Sequence, residues 1–523
     1  MEIKAKKCSK FFANVRFAYI LFYMVYIAGA IIPIRLIIDS NPLNALVYSL
    51  LAISGGIFLF IDLLYQKTLF KSKNCGLLVL FVISLGISIV LNMKYGLTNN
   101  LKTFAWTCIQ LFLFASIDTE QSSELHFKHV QILTETFSAI WLIWSIWSLK
   151  LFLQQYFQVF QLQDVVSVTR MGFTEGRLFG VFTDPNYAAM GSFAAIVFSI
   201  LNLNMRKCSI LSKIYHYFQI AIQFCYICLS GSRTAQLSIM IVVALISMLA
   251  TWTLFEKKIK SLFVRIIAVS IAGVLCGSIV IFLCGLARDI LSYAPSTYEK
   301  IVQKEEASVL DESNLEEVQD ENVQNEVQDE NIQNEVQDEK QLEKIDLTRP
   351  DIEQSEDFSN NRFQIWNDYA KVFATTPLFG TSPRNVLDYT AEKFNSLFIL
   401  ERQYAVHNTY FAILVYTGII GASWIFLWMF LKIGEVLGYL IRRRNTKDKY
   451  YRVILILSTI LGAYAIAAFP LQFLFFGNMI YDLLFWVLLG YVIGFIKMSE
   501  PERYGETLPY RLSMKICKKH FKM

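Results

Sequence analysis

The chain has 523 residues, 55% hydrophobic and only 17% charged, with 42 Phe, 26 Tyr and 9 Trp, and its mean hydropathy is +0.43. Soluble domains carry about 25% charged residues, so this composition excludes a soluble enzyme, a disordered chain, a disulfide-stapled secreted scaffold and a nucleic-acid binder. A polytopic membrane protein remains. Its formal charge of +5 conceals a split: residues 287–406 hold 26 acidic and 11 basic side chains, and the rest of the chain nets +20.

Apolar runs long enough to cross a bilayer, roughly 20 residues each, predict about twelve helices in an all-α polytopic bundle. They fall near 17–38, 44–65, 75–92, 101–117, 130–153, 186–203, 213–230, 233–254, 262–286, 408–431, 451–469 and 476–496. The first follows Lys4, Lys6, Lys7 and Lys10, but its run is too long for a signal peptide and no small-residue cleavage site follows, so it reads as a retained helix. Basic residues crowd alternate connections: the N-terminus, Lys67/Lys71/Lys73, Arg206/Lys207/Lys213, Lys257/Lys258/Lys260/Arg265, Arg442/Arg443/Arg444/Lys447/Lys449 and the tail. By the positive-inside rule both termini are then cytoplasmic in the cell membrane. The chain divides into helices one to nine over 1–286, an extracytoplasmic loop over 287–407, helices ten to twelve over 408–498 and a basic cytoplasmic tail over 499–523.

Residues 154–185, the turn near 230–233 and the long loop between helices nine and ten are thereby placed outside. Within that loop, 305–357 carries 20 acidic and 3 basic residues and repeats a nonapeptide at 318–326 and 327–335. Its aliphatic spacing of 5, 4, 5, 4 builds no apolar stripe, which suits a solvated, self-repelling insert of little relevance to chemistry. Residues 358–407, with Phe, Trp, Tyr and Leu at helical spacings, are expected to fold against the outer membrane face. None of the nine cysteines lies in 287–407, so no outer-loop disulfide is expected. Cys225 and Cys228 read as helix packing. His126 and His129 beside Glu124 lack a fourth metal ligand, and no metal or cofactor is expected.

Arg35, Lys150 and Asp482 fall near outer helix ends and Asp62, Glu135 and Arg265 near inner ends, as snorkelling or rim residues would. Little charge is predicted at mid-depth and no two related halves are visible, unlike many coupled transporters. The outer face is richer in chemistry. Asp184-Pro185-Asn186 is a turn whose polar side chains can cap the sixth helix, and Gly176 and Gly180 permit close approach of backbone to a ligand. Arg177 sits in that constrained loop. Ser232 and Arg233 close a minimal turn at the start of helix eight, where free N–H groups and a guanidinium fork suit phosphate. Arg233 can equally be a snorkelling residue, and His407 can merely cap the tenth helix together with Asn408.

The order Gly176-Arg177-x-x-Gly180-x-Phe182-x-x-Pro185-Asn186, then Ser230-Gly231-Ser232-Arg233, then Arg362, Trp366 and Pro377-Leu378-x-Gly380, then His407-Asn408, Gly418 and Gly421 resembles the O-antigen ligase and Wzy-type polysaccharide polymerase superfamily of bacterial membrane glycosyl transferases. The resemblance spans roughly residues 170–425. It departs at 380–382, where the family shows Gly-x-Gly and this chain has Gly380-Thr381-Ser382.

The resemblance implies a glycosyltransferase-C-like bundle acting at the outer face, without metal, on glycans carried by polyprenyl (undecaprenyl) pyrophosphate. Arg177, Arg233 and Arg362 would hold the pyrophosphate, and His407 would act as general base or orient the attacking hydroxyl. Residue chemistry agrees: arginine stays charged, pyrophosphate is already a good leaving group, and an imidazole can accept a hydroxyl proton. Attack opposite the pyrophosphate would invert the anomeric centre. The expected activity is polymerisation of surface-polysaccharide repeat units, as for a capsule or other cell-envelope glycan. Transfer of finished glycan to a terminal acceptor is the sister activity, and a flippase for lipid-linked glycan or a membrane scaffold the readings from other classes. Expected partners are the lipid-linked donor, a glycan or lipid-linked acceptor and the bilayer, with a flippase and a chain-length regulator as candidate protein partners.

Overall fold

The computed structural model describes residues 2–29, 42–160, 169–256, 258–303, 343–349, 359, 361–401, 403–446 and 448–504. Arg35 and most of the acidic repeat lie outside the described residues. Helices dominate: α1 Glu2–Ala28, α2 Pro42–Ile61, α3 Cys75–Leu91, α4 Leu97–Cys108, α5 Ser123–Leu153, α6 Pro185–Met205, α7 Ile210–Ser230, α8 Arg233–Phe255 and α9 Leu262–Leu291. After these come α10 Arg362–Thr375, α11 Val386–Lys393, α12 Phe398–Glu401, α13 Thr409–Arg443, α14 Lys449–Ala467 and α15 Ile480–Ser499. Among the described residues, nine helices are long and apolar enough to cross a membrane. The chain is an all-α polytopic membrane protein.

The three other expected spans explain themselves. α3 is short, α4 continues into a π-helical turn at Ile109–Phe114, and α7 carries Lys213, His216, Gln219 and Gln223 along an otherwise apolar run. The fifth expected helix begins at Ser123 rather than near 130, because the Ser122 side chain accepts from Leu125 N and Glu124 sits in the first turn. Ser209, Ser232, Ser261, Asn408 and Asp448 cap their helices in the same way, each contributing about 1 kcal/mol. Close helix contact uses small residues: a Cβ added at Gly191 would lie 2.0 Å from the Trp141 ring. The His126 and His129 Nε2 atoms meet Asp118 O at 2.8 Å and Asn14 Oδ1 at 3.0 Å.

Charges at helix ends are more deeply placed than a rim reading allows. Asp62 is fully buried against Arg16, at 3.7 Å. Asp482 is fully buried as well, and its carboxylate accepts from Leu474 N at 2.5 Å and Met479 N at 2.9 Å. Both carboxylates tie chain segments together instead of reaching for water, since burying an unpaired carboxylate would be costly.

Two features position the site and were not foreseen. The first is a three-stranded antiparallel sheet: β1 Phe157–Phe160, β2 Thr169–Thr174 and β3 Arg177–Gly180. The second is a break in α13 at Gly418, whose φ is 65° and ψ −177°. Residues 377–382 lie in that break, with Ile419 N donating to Pro377 O at 2.8 Å, Thr381 N to Val415 O at 2.9 Å and Ser382 N to Tyr416 O at 3.1 Å. A Cβ at Gly418 would stand 2.2 Å from Leu378 O, and one at Gly380 2.5 Å from the Tyr416 carbonyl carbon. The Pro377-Leu378-x-Gly380 motif and Gly418 thus meet as two halves of one backbone-to-backbone contact.

Candidate functional site at one end of the bundle

The loop before α6 is a hairpin, and the hairpin aims Arg177. Thr174 pairs with Arg177 across a two-residue turn whose members, Glu175 and Gly176, both have positive φ, 51° and 66°. That is the type I′ geometry matching strand twist. Arg177, first residue of β3, then donates from Nε to Ser230 O at 3.0 Å and from Nη2 to Asn186 Oδ1 at 2.9 Å. Asp184 Oδ1 accepts from Asn186 N at 2.7 Å and caps α6, with Pro185 at the first helical position. One guanidinium therefore ties the β3 strand, the end of α7 and the start of α6.

Gly176 and Gly180 serve packing rather than ligand approach. A Cβ on Gly176 would fall 1.9 Å from Thr348 O, and one on Gly180 2.1 Å from Ser148 Oγ. The chain itself fills the space that each glycine leaves.

Arg233 opens α8 after Gly231, which takes the left-handed conformation at φ 61° that ends α7. Ser232 caps α8 by accepting from Ala235 N at 3.2 Å. Arg362, first residue of α10, is half-buried. Burial first, and then the neighbouring Arg233 guanidinium, lower its pKa from the ordinary guanidinium value, with Tyr187 and Asp184 opposing. Two like charges share this site, and an anion between them would relieve the repulsion.

Asn408, not His407, caps α13, accepting from Phe411 N at 2.9 Å. His407 precedes it with φ at 51°, a conformation uncommon for a side-chain-bearing residue. Trp366 Nε1 holds the adjoining Val406 carbonyl at 3.0 Å, which fixes the strained peptide from α10. The imidazole lies 6.3 Å from the Tyr404 ring, centroid to centroid. Burial, then the Arg362 charge, lower its pKa below the ordinary 6.5, with Asp184 opposing. Near neutral pH the ring is uncharged and able to accept a proton.

Arg362 thus feels Arg233 and Asp184, His407 feels Arg362 and Asp184, and Arg177 is tied to Asp184 through Asn186. Two arginines escaped the sequence reading. Arg288, in the last turn of α9, donates to Gly176 O at 2.7 Å and to Leu347 O. Arg349, from the end of the acidic stretch, donates to Gly231 O at 2.6 Å. Residues 343–349 also bond back to α9, Ile345 N to Ser292 O at 3.1 Å. The available signal was thin: Arg349 is one of three basic residues in 305–357, and Arg288 sits where a cation suits a helix C-terminus.

Residues 218–426 match the model of the family described as O-antigen ligase. The match takes in Arg233, Arg288, Arg349, Arg362, His407 and the Gly418 break, and it supports the O-antigen ligase and Wzy-type superfamily. No curated protein matches the chain significantly. This likeness supports polysaccharide-related glycosyl transfer on lipid-linked glycan in a multi-pass membrane setting.

Proposed function

We propose that the protein polymerises surface-polysaccharide repeat units carried on polyprenyl pyrophosphate, by inverting transfer at the outer face of the cell membrane. The observation that carries this reading is Arg362 at one end of the bundle, where its charge acts on His407 and the Arg233 charge acts on it. Arg233 and Arg362, with Arg177 behind them, hold the pyrophosphate and stabilise its charge as it leaves. His407 takes the proton from the attacking hydroxyl, typically worth 10²–10⁴ in rate. The alternating basic connections support an orientation with both termini cytoplasmic and this end outside.

The test replaces Arg233 or His407 with Ala and runs a size ladder of surface glycan. Both variants should insert normally and make no polymer, and wild-type product from both would refute the assignment. A knockout separates the neighbouring activities. Single repeat units on lipid or anchor mark a polymerase, full polymer stranded on carrier lipid a ligase, and repeat units trapped on the inner leaflet a transporter.

A further inference from the structure

A cavity of about 570 Å³ opens beside the segment that leads to His407, lined among others by Tyr369, Arg384, Asp388, Gln403, Tyr404 and Gln472. Its size falls within the range of about 300–1,000 Å³ usual for small-molecule sites. Two wall elements face both this cavity and the arginine site. The first is the extended segment leading to His407: Tyr404 lines the cavity, Tyr369 Oη holds the Tyr404 carbonyl at 2.8 Å, and Trp366 holds the Val406 carbonyl. The second is Gln472. Its backbone carbonyl accepts from Tyr187 Oη at 3.1 Å on the α6 side, while its side chain lines the cavity.

The lining does not suit a phosphate. Arg384 is committed, donating from Nε to Thr103 Oγ1 at 2.9 Å and from Nη2 to Phe476 O at 3.2 Å, and the Asp388 carboxylate stands nearby. Tyrosine rings, amides and one carboxylate instead suit a neutral, hydroxyl-rich ligand. Gln472 supplies the sharpest indication. Its Nε2 donates to Tyr416 Oη at 3.1 Å, and its Oε1 is buried without a partner. Native proteins leave few such acceptors unmet.

We propose that this cavity is the acceptor subsite, holding the sugar whose hydroxyl attacks the lipid-linked donor. The inference rests on the transferase reading above. In the step it serves, the acceptor oxygen bonds to the anomeric carbon as the carbon–oxygen bond to pyrophosphate breaks. The pyrophosphate leaves with that electron pair into the arginine site, and the hydroxyl proton passes to His407.

The test uses the full chain in nanodiscs and a tagged oligosaccharide of one to three repeats cut from the cell's own polysaccharide. Binding is followed by saturation-transfer NMR, which needs no chemistry, and transfer by separate KM values for oligosaccharide and lipid-linked donor. Gln472→Leu removes the buried acceptor. Asp388→Ala and Gln403→Ala alter exposed rim positions and leave folding intact. Loss of one hydrogen bond should weaken oligosaccharide binding and raise its KM about tenfold, with donor KM within about twofold. Unchanged oligosaccharide binding in all three variants, or a rise confined to the donor KM, overturns the subsite. Transfer without dependence on the cavity sinks this proposal and spares the transferase reading. Binding that depends on the cavity, without any transfer by the wild type, does the reverse.

Discussion

Gly176→Ala tests how the sequence builds the arginine site. Gly176 has φ 66°, and an Ala there costs roughly 1–2 kcal/mol from the left-handed backbone alone. The added Cβ would also lie 1.9 Å from Thr348 O, so residues 343–349 must retreat by more than an ångström. That movement strains the pair of bonds by which Arg288 clamps Gly176 O and Leu347 O, each worth about 1.5–3 kcal/mol as a charged hydrogen bond. The sum, about 4–8 kcal/mol, is too large to absorb in place, and the cheapest relief is local undocking of 343–349 with loss of the Arg349–Gly231 contact. The turn that aims Arg177 and the turn that presents Arg233 then loosen together. Polymer yield should fall at least tenfold while Tm in detergent drops only modestly. Gly176→Asn separates the causes, since Asn tolerates positive φ but carries the same Cβ, and it should be nearly as defective. A wild-type ladder from Gly176→Ala, or full rescue by Asn, would show that the contact with Thr348 does not brace the site.

Two further outcomes follow from the same geometry. If His407 is the proposed base, the rate should hold steady through neutral pH and fall as pH drops through its lowered pKa, because only the neutral imidazole can accept the proton. Arg362→Gln removes a charge that lowers that pKa, so its acid limb should move to higher pH whatever its maximal rate; pH–rate profiles that superimpose would contradict the pairing. Deleting 305–342 should leave polymer length and yield nearly unchanged, whereas deleting 305–349 removes Arg349 and the segment against Gly176 and should cut yield at least tenfold. Equal outcomes for the two deletions, read on the same glycan ladder, would contradict the docking of 343–349.

The parts legible in the sequence were those with short-range causes. Hydropathy periods marked the spans, and Asp184, Ser232 and Asn408 announced their helix starts because capping acts within three residues. The sheet over 157–180 was concealed because its strands are only four to six residues long and its hairpin turn is Glu-Gly rather than Asn-Gly or Asp-Gly. Arg288 and Arg349 were concealed for a different reason. Each acts on a carbonyl more than 50 residues away, and the chain around Arg349 has the composition of a solvated spacer.

The departure at 380–382 is where local and long-range reasoning meet. The resemblance leads one to expect a glycine at 382, and Ser382 there holds φ at 66°. The left-handed conformation is imposed from outside: Ser382 N donates to Tyr416 O and to Ser88 Oγ, and Ser88 Oγ donates to Tyr416 O at 2.8 Å. The broken α13 therefore dictates the backbone at 382 whichever residue occupies it, at a cost of roughly 1–2 kcal/mol for serine. What the family pattern encodes as glycine is a demand of the fold, and the strain remaining at Ser382 marks the inserted loop as part of the scaffold that sets Arg384 and the cavity wall beside His407.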